Sequence, residues 1–296
     1  MDAADLRVFE AVARLGGMSR AASELNTVQS NVTSRIRALE DELGVKLFHR
    51  NNRGVALTEA GRRLLPYAGR IRGLLIDARR AVDDDGTPRG MLTIGSLEST
   101  AAVRLPRILA SFAAAYPEVD LVLTPGTTAE MIERTLNHHV DGAFVCGPVD
   151  HPDLEEEVVF REELVVVTAA GRAARDLADV LRQRQLRIVV LQAGCSYRQR
   201  LEDVLARRGA VGLRRLEFGT IDGLLGAVAA GIGVTLLPRQ LVAARERAGE
   251  IATHGLLPAE AKVDTVFIRR REARISTALA AFLASVRVAN AKIAAE

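Results

Sequence analysis

The chain has little of what marks several protein classes. Only two cysteines, Cys146 and Cys195, occur in 296 residues, far apart and with no CxxC or Cys/His cluster. That excludes a disulfide scaffold and a zinc site of recognisable spacing, leaving a redox-sensing pair as a minor reading. The five histidines, His49, His138, His139, His151 and His254, show neither metal-ligand nor triad spacing, so each reads as a surface or loop residue and no metal is expected. Gly194-Cys195-Ser196-Tyr197-Arg198 superficially suggests a nucleophile loop but lacks the Gly-x-Ser-x-Gly elbow, and no cofactor motif is present. No stretch approaches the uninterrupted apolar length of a membrane span. The opening MDAADLRVFEAVARLGG is acidic at its start and charged throughout, unlike a secretory signal, so a cytoplasmic location is the expectation. Lysine is scarce as well: 37 of the 40 basic residues are Arg, which with abundant Ala hints at a GC-rich bacterial genome. A 48% apolar content over this length suffices for two or three units with sizeable cores.

What the chain does have is concentrated in residues 16–58, which read as a short helix, a turn, a longer helix and a basic β-wing, an order of elements that binds duplex DNA. Val32, Ile36, Leu39 and Leu43 recur every three to four residues and form one apolar stripe. Gln29, Ser30, Asn31, Thr33, Ser34, Arg35 and Arg37 lie on the opposite face or at the helix N-terminus. They are short or forked hydrogen-bonding side chains suited to base edges and phosphates, where an ordinary surface helix favours Glu and Lys. Upstream, Ser19 is expected to cap a helix containing Ala21, Ala22 and Leu25, with Arg20 beside it, and Asn26-Thr27 supplies the turn. Gly44 stands where a left-handed C-terminal cap is expected. Then follows His49-Arg50-Asn51-Asn52-Arg53-Gly54, a hairpin tip whose Arg50, Asn52 and Arg53 can reach phosphates or the minor groove. Residues 19–72 hold ten Arg or Lys against five acids, a balance of +5 within a chain of net +3, as expected for a nucleic-acid footprint. A solvated amphipathic helix followed by a hairpin explains neither the Gln/Ser/Asn/Thr face nor the basic tip.

The chain resembles the LysR-type transcriptional regulators over essentially its full length. The matching residues are Leu6 and Phe9, Ala21-Ala22 with Leu25, Gln29 and Val32, Ile36-Arg37-Ala38-Leu39-Glu40, Leu43-Gly44, Leu47-Phe48, Arg50, and Leu57-Thr58-Glu59-Ala60-Gly61. Where the family commonly has Ser or Thr before the Gln and often Pro after it, this chain has Val28 and Ser30, with Thr27 as the expected replacement cap.

From Thr58 onward, Leu64, Ala68, Ile71, Leu75, Ala78 and Val82 repeat at coiled-coil spacings, so the helix reads either as a dimer seam or as one packed on its own domain; the resemblance favours the dimer. Pro66 should bend it near its start. The charged, turn-rich run 83–90 marks a hinge. The expected organisation is a winged helix-turn-helix domain over 1–58, a linker helix and hinge over 59–89 and a regulatory domain over 90–296.

Beyond the hinge, β-like runs at 91–95, 121–124, 143–146, 164–168, 188–191, 233–237 and 263–268 alternate with amphipathic stretches, implying α/β units with a parallel-rich sheet. The resemblance implies a two-lobed, periplasmic-binding-protein-like effector domain, with lobe I at about 91–162 and 268–296 and lobe II at about 163–267. Ligands of such sheets bind beyond strand C-termini, and Ser99, Thr100, Thr127, Thr128, Cys195, Ser196, Phe218 and Thr220 fall at those junctions. Each alone reads as a cap or turn; together they are the candidate effector site. A small anion, most plausibly a carboxylate, is the expected ligand, with Arg198 or Arg269 as a candidate partner and Glu98 opposing it if it faces inward.

Two classes stay open: a ligand-responsive DNA-binding regulator, not an enzyme, and a solute-binding protein or enzyme built on the C-terminal fold. For the first, the resemblance implies promoter DNA, RNA polymerase and a homodimer assembling to a homotetramer as partners.

Overall fold

Helix α1 (Ala3–Leu15) starts on a reciprocal cap in which Asp2 accepts from the Asp5 N–H and Asp5 from the Asp2 N–H. This computed structural model describes residues 1–51, 54–171, 179, 186–210 and 212–295, and the chain divides into two compact units, Met1–Asp85 with Leu136–His139 and Gly86–Thr135 with Val140–Glu296.

In the first unit, α2 (Met18–Glu24), α3 (Gln29–Leu43), the antiparallel pair β1 (Phe48–Asn51) and β2 (Gly54–Leu57), and α4 (Glu59–Asp83) follow α1. Val32, Ile36 and Leu39 pack with Leu6, Phe9, Val12, Ala21 and Leu47, and the Phe9 and Phe48 rings lie 5.3 Å apart. Leu43, expected on the same stripe, is exposed because Gly44 (φ +66°) ends the helix there and turns the chain away. Two expected caps are corrected. Helix α2 begins two residues early, with Gly17 at its cap position, and α3 begins with Val28 there; neither start has a side-chain cap. Ser19 and Thr27 spend their hydroxyls on side chains of α3 instead.

Helix α4 is capped by Thr58, whose hydroxyl accepts from the Gly61 N–H at 3.0 Å, and it continues past Pro66. A Cβ at Gly61 would stand 2.3 Å from the Leu47 carbonyl oxygen, so only glycine lets the helix start this close to the wing. The expected seam splits along its length. Leu64, Ala68 and Ile71 pack on this unit's own core, and Arg72 pairs with Glu10 at 2.8 Å. Leu75, Ala78 and Val82 are exposed, as are Tyr67 and Leu74, which sequence spacing did not pick out. The helix therefore serves its own domain with its first half and leaves an apolar stripe on its second.

The second unit holds two lobes. In the first, β3 (Gly90–Ser96) pairs in parallel with β4 (Val119–Pro125) and β5 (Gly142–Cys146), and β5 pairs antiparallel with β11 (Lys262–Arg270). The 16-residue β6 (Leu154–Ala169) pairs β11 with its first part, then β9 (Thr235–Pro238) and β10 (Ile251–His254) with its second. The sheet is thus mixed rather than parallel-rich, because β6 and β11 both cross between the lobes. On β11, Val263 packs in the second lobe's core and Phe267 in the first's, with a bulge between Thr265 and Val266. The return crossing therefore falls near Thr265, earlier than the expected 268. In the second lobe β7 (Arg187–Leu191) pairs in parallel with β8 (Arg214–Phe218).

Short helices fill the connections: α5 (Glu98–Val103), α6 (Leu105–Ala115) and α7 (Thr128–Leu136) in the first lobe; α8 (Ser196–Arg207), α9 (Ile221–Ala229), α10 (Arg239–Arg247) and α11 (Pro258–Ala261) after β7, β8, β9 and β10; and the closing α12 (Thr277–Ala295). Near the crossing, Arg104 makes a buried bidentate pair with Glu162, at 2.8 Å from Nε and 2.9 Å from Nη2. Among the described residues no helix is long and apolar enough to cross a membrane.

Candidate functional site

The polar face of α3 is set on the first unit's core, and its side chains are oriented by neighbours. The Ser19 hydroxyl donates to the Gln29 amide oxygen at 2.9 Å, and the Asn31 amide donates to the Thr27 hydroxyl at 2.9 Å. Those bonds fix one end of each amide and leave further donors and acceptors for a partner. Ser19, Arg20, Gln29, Ser30, Asn31, Ser34 and Arg37 are exposed, and Thr27 and Thr33 are half-buried. Arg20 donates to the Gly16 carbonyl at 3.2 Å. Arg35 is the exception on this face: its guanidinium pairs with Asp5 of α1 at 2.9 Å and ties α3 to α1. Arg50 lies on β1 opposite Val55, while Asn52 and Arg53, the expected tip, lie outside the described residues.

Glu40 holds the wing to the helix. Its carboxylate accepts from the Leu47 and Phe48 N–H groups at 2.9 and 3.3 Å and from the Lys46 ammonium at 3.1 Å. Burial pushes this carboxyl up, but the Leu47, Lys46 and Phe48 donors outweigh it and hold the group below the usual glutamate value. In the sequence Glu40 looks like one more charge on a solvated face; only the return of residues 46–48 reveals its role.

The second site is a cavity of about 300 Å³ between the two lobes. Ser99, Thr127, Cys195, Ser196 and Thr220 line it, as expected. The other three candidates do not. Thr100 is buried in α5, Thr128 faces a neighbouring cavity of about 640 Å³, and Phe218 packs against Gly223 and the second lobe's core. The lining also includes Glu98, Gln192, Tyr197 and the apolar Leu97, Leu191, Ile221 and Leu237.

Among the described residues, four residue pairs hydrogen-bond between the lobes around this cavity. Ser196 donates to Thr128 at 3.0 Å, Ser99 to Tyr197 at 3.5 Å, the Ile221 N–H to Glu98 at 3.1 Å, and the Gln192 amide to Glu130 at 3.4 Å. Glu130 also takes the Thr127 N–H at 2.8 Å while its own N–H donates to the Thr127 hydroxyl, a capping box legible in the Thr127-to-Glu130 spacing. Gly194, at φ +90°, comes so close to Thr127 that a Cβ there would stand 2.9 Å from its hydroxyl. Burial pushes the Cys195 and Cys146 thiols and the Tyr197 phenol up, so all three are neutral at physiological pH.

The two arginines considered as anion partners are engaged elsewhere: Arg198 with Glu217 at 3.0 Å and Glu202 at 3.6 Å, and Arg269 with Glu155. Glu98 is the one formally charged side chain lining the cavity among the described residues. The expected carboxylate ligand therefore meets a like charge.

Two family models account for nearly the whole chain. The model described as a bacterial regulatory helix-turn-helix protein of the lysR family matches residues 3–62, and that described as a LysR substrate binding domain matches residues 85–290. The chain belongs to the LysR family. It is 42% identical over 283 residues to the HTH-type transcriptional regulator GltR of Bacillus subtilis (strain 168), covering 95% of each chain. It is 40% identical to YofA of the same strain, another HTH-type transcriptional regulator, covering 96% of this chain and 97% of that one. Among solved structures it is similar to full-length CbnR complexed with its target DNA, at 26% identity and a TM-score of 0.66, covering 98% of this chain and 100% of that one. This LysR-type protein is accordingly a DNA-binding transcriptional regulator with a C-terminal effector-binding domain.

Proposed function

We propose that α3 of this regulator docks in the major groove of promoter DNA, with Gln29 and Asn31 reading base edges. Ser19, Arg20, Thr27, Ser30, Thr33, Ser34, Arg37, Arg50, Asn52 and Arg53 complete the footprint on bases and phosphates. Arg35 acts there by holding α3 on α1 rather than by touching bases. The carrying observation is that the exposed polar face of α3 bears amides already oriented by Ser19 and Thr27, above an apolar face on which Val32, Ile36 and Leu39 are buried.

In the same reading the inter-lobe cavity is the effector site. A ligand seated there competes with, or adds to, the four bonds between lobes, shifts lobe closure and so changes how the assembled protein bends DNA and meets RNA polymerase. Tyr67, Leu74, Leu75, Ala78 and Val82 supply the apolar stripe through which two copies pair, as the first step towards a homotetramer in the bacterial cytoplasm.

The test is an anisotropy titration on DNA from upstream of the protein's own gene against scrambled DNA, across a salt series. Tight, sequence-selective binding with a steep salt slope is expected; salt-sensitive binding without selectivity would reduce the α3 reading to generic association. Leu75→Glu should abolish the dimer in sedimentation and weaken binding to a two-half-site operator. Ile71→Glu is the wrong probe, since Ile71 packs on its own domain.

A further inference from the structure

The chemistry of the cavity narrows what it can bind. Its apolar walls are Leu97, Leu191, Ile221 and Leu237, and its neutral polar groups are hydroxyls, one amide and a protonated thiol. No Lys, Arg or His lines it among the described residues, and its one charged side chain is the Glu98 carboxylate. A second carboxylate, Glu130, lies one bond behind the lining residue Gln192.

The helix starts that would attract an anion are partly spent on the protein's own groups. Glu98 takes the first N–H of α9, the Thr220 hydroxyl takes the Gly223 N–H of the same helix, and Glu130 takes the Thr127 N–H before α7. A carboxylate entering this space would sit within a few ångströms of Glu98 with no side-chain cation to offset the repulsion. Glu98 has one oxygen on the Ile221 N–H, and a carboxylate has acceptor sites for more than one donor.

We propose that the effector of this regulator is a small, partly apolar molecule carrying an ammonium or amide N–H donor that bonds the Glu98 carboxylate, and not a simple carboxylate. The inference rests on the reading of this cavity as the effector site. A volume of about 300 Å³ is at the small end for ligand pockets, which fits a short branched or cyclic hydrocarbon body against the four apolar walls. Because Glu98 belongs to the first lobe and Ile221 to the second, a donor on Glu98 also acts directly on one of the bonds that hold the lobes together.

Three probes that share one branched hydrocarbon body separate the alternatives: 3-methylbutylamine, 3-methylbutanamide and 3-methylbutanoate, followed by ligand-observed saturation-transfer NMR on the full-length protein, its Glu98→Gln variant and a cavity-filled variant. Gly219→Phe serves for the last, since Gly219 lines the cavity and a Cβ there meets nothing within 4 Å. The parent protein should bind the amine about tenfold or more tightly than the carboxylate, a ratio well within what one carboxylate at contact supplies. Glu98→Gln should bring that ratio to about one while still binding the amide, which shows that the variant is folded. A carboxylate preference in the parent, or no saturable amine binding, overturns the proposal. Amine binding that persists in Gly219→Phe instead overturns the reading of the cavity as the effector site, a distinct failure.

Discussion

The DNA-facing unit and the inter-lobe cavity solve the same problem, presenting polar groups in fixed directions, by opposite means. On α3 the orienting bonds are short in sequence: Ser19 to Gln29 spans ten residues and Thr27 to Asn31 four. Around the cavity they are long: Ser196 reaches back 68 residues to Thr128, Tyr197 98 to Ser99, and Ile221 123 to Glu98. A face built locally is as rigid as one helix and its neighbour. A site built across two lobes exists only while the lobes are closed, which is what a ligand-dependent device requires. The difference assigns recognition to the first unit and response to the second.

The largest effect that would sharpen this contrast lies at the lobe crossing. Arg104 and Glu162 are 7% and 6% exposed, form a two-pronged pair, and the Arg104 guanidinium lies 5.5 Å from the Phe160 ring centre. Arg104→Ala strands a buried carboxylate and should destabilise the lobe unit by about 3–5 kcal/mol. Arg35→Ala removes a partly exposed pair with Asp5 and should cost about 0.2–1 kcal/mol. Denaturant unfolding followed by hydrogen exchange should show the Arg104 loss in the second unit alone. An equal loss in both would mean that the units unfold together and the division of labour is wrong.

Next comes Glu40. Glu40→Ala leaves the Leu47 and Phe48 N–H groups without their carboxylate and should destabilise the first unit by about 1–3 kcal/mol while loosening the wing. The folded carboxyl lies below its ordinary value, so the contribution is complete at neutral pH and is lost as pH falls through the depressed folded value. The stability gap between parent and variant should therefore close in acid. A gap that persists there would assign the effect to packing rather than charge.

These particulars show how much was legible in the chain. The α3 stripe, Gly44 and the Thr58 cap follow from local spacing, and the strands at 91–95 and 143–146 from short apolar runs, the first broken only by Thr93 and Gly95. The first half of β6 was not legible, because Glu155, Glu156, Glu157, Arg161, Glu162 and Glu163 make it look like a solvated loop. In the fold Leu154, Val159 and Phe160 are nonetheless buried, the last two side by side where the pairing with β11 shifts register. Several of its charges find distant partners: Glu155 with Arg269, Glu157 with Arg287, Glu162 with Arg104. On α4 the same period serves an own-domain core and a partner, so spacing alone does not show that Leu64, Ala68 and Ile71 pack on the core. Five of the eight cavity candidates line it, four hydroxyls and the Cys195 thiol, because such side chains cluster at helix starts; Gln192 carries no such signal.

Recognition itself offers the next comparison. Gln29→Ala should reduce discrimination between operator and scrambled DNA by about 1–3 kcal/mol if the amide reads a base edge. Ser19→Ala, which only frees the Gln29 amide oxygen, should have a smaller effect in the same direction. Equal weakening on both DNAs would turn Gln29 into a positioning contact and leave sequence reading to Asn31.

The smallest effect belongs to the lobes. The Ser196 hydroxyl donates to Thr128, whose oxygen also accepts from the Cys146 N–H at 3.3 Å, so Ser196→Ala removes one bond and leaves Thr128 with another partner. The expected loss is about 0.5–1.5 kcal/mol, confined to the second unit and read as faster hydrogen exchange at the start of α8. Ser196→Thr keeps the hydroxyl and should recover most of it. If alanine instead costs nothing, the bond is not holding the lobes. Closure would then rest on the contacts of Glu98, Ser99 and Glu130, and the cavity would have to be opened from that side.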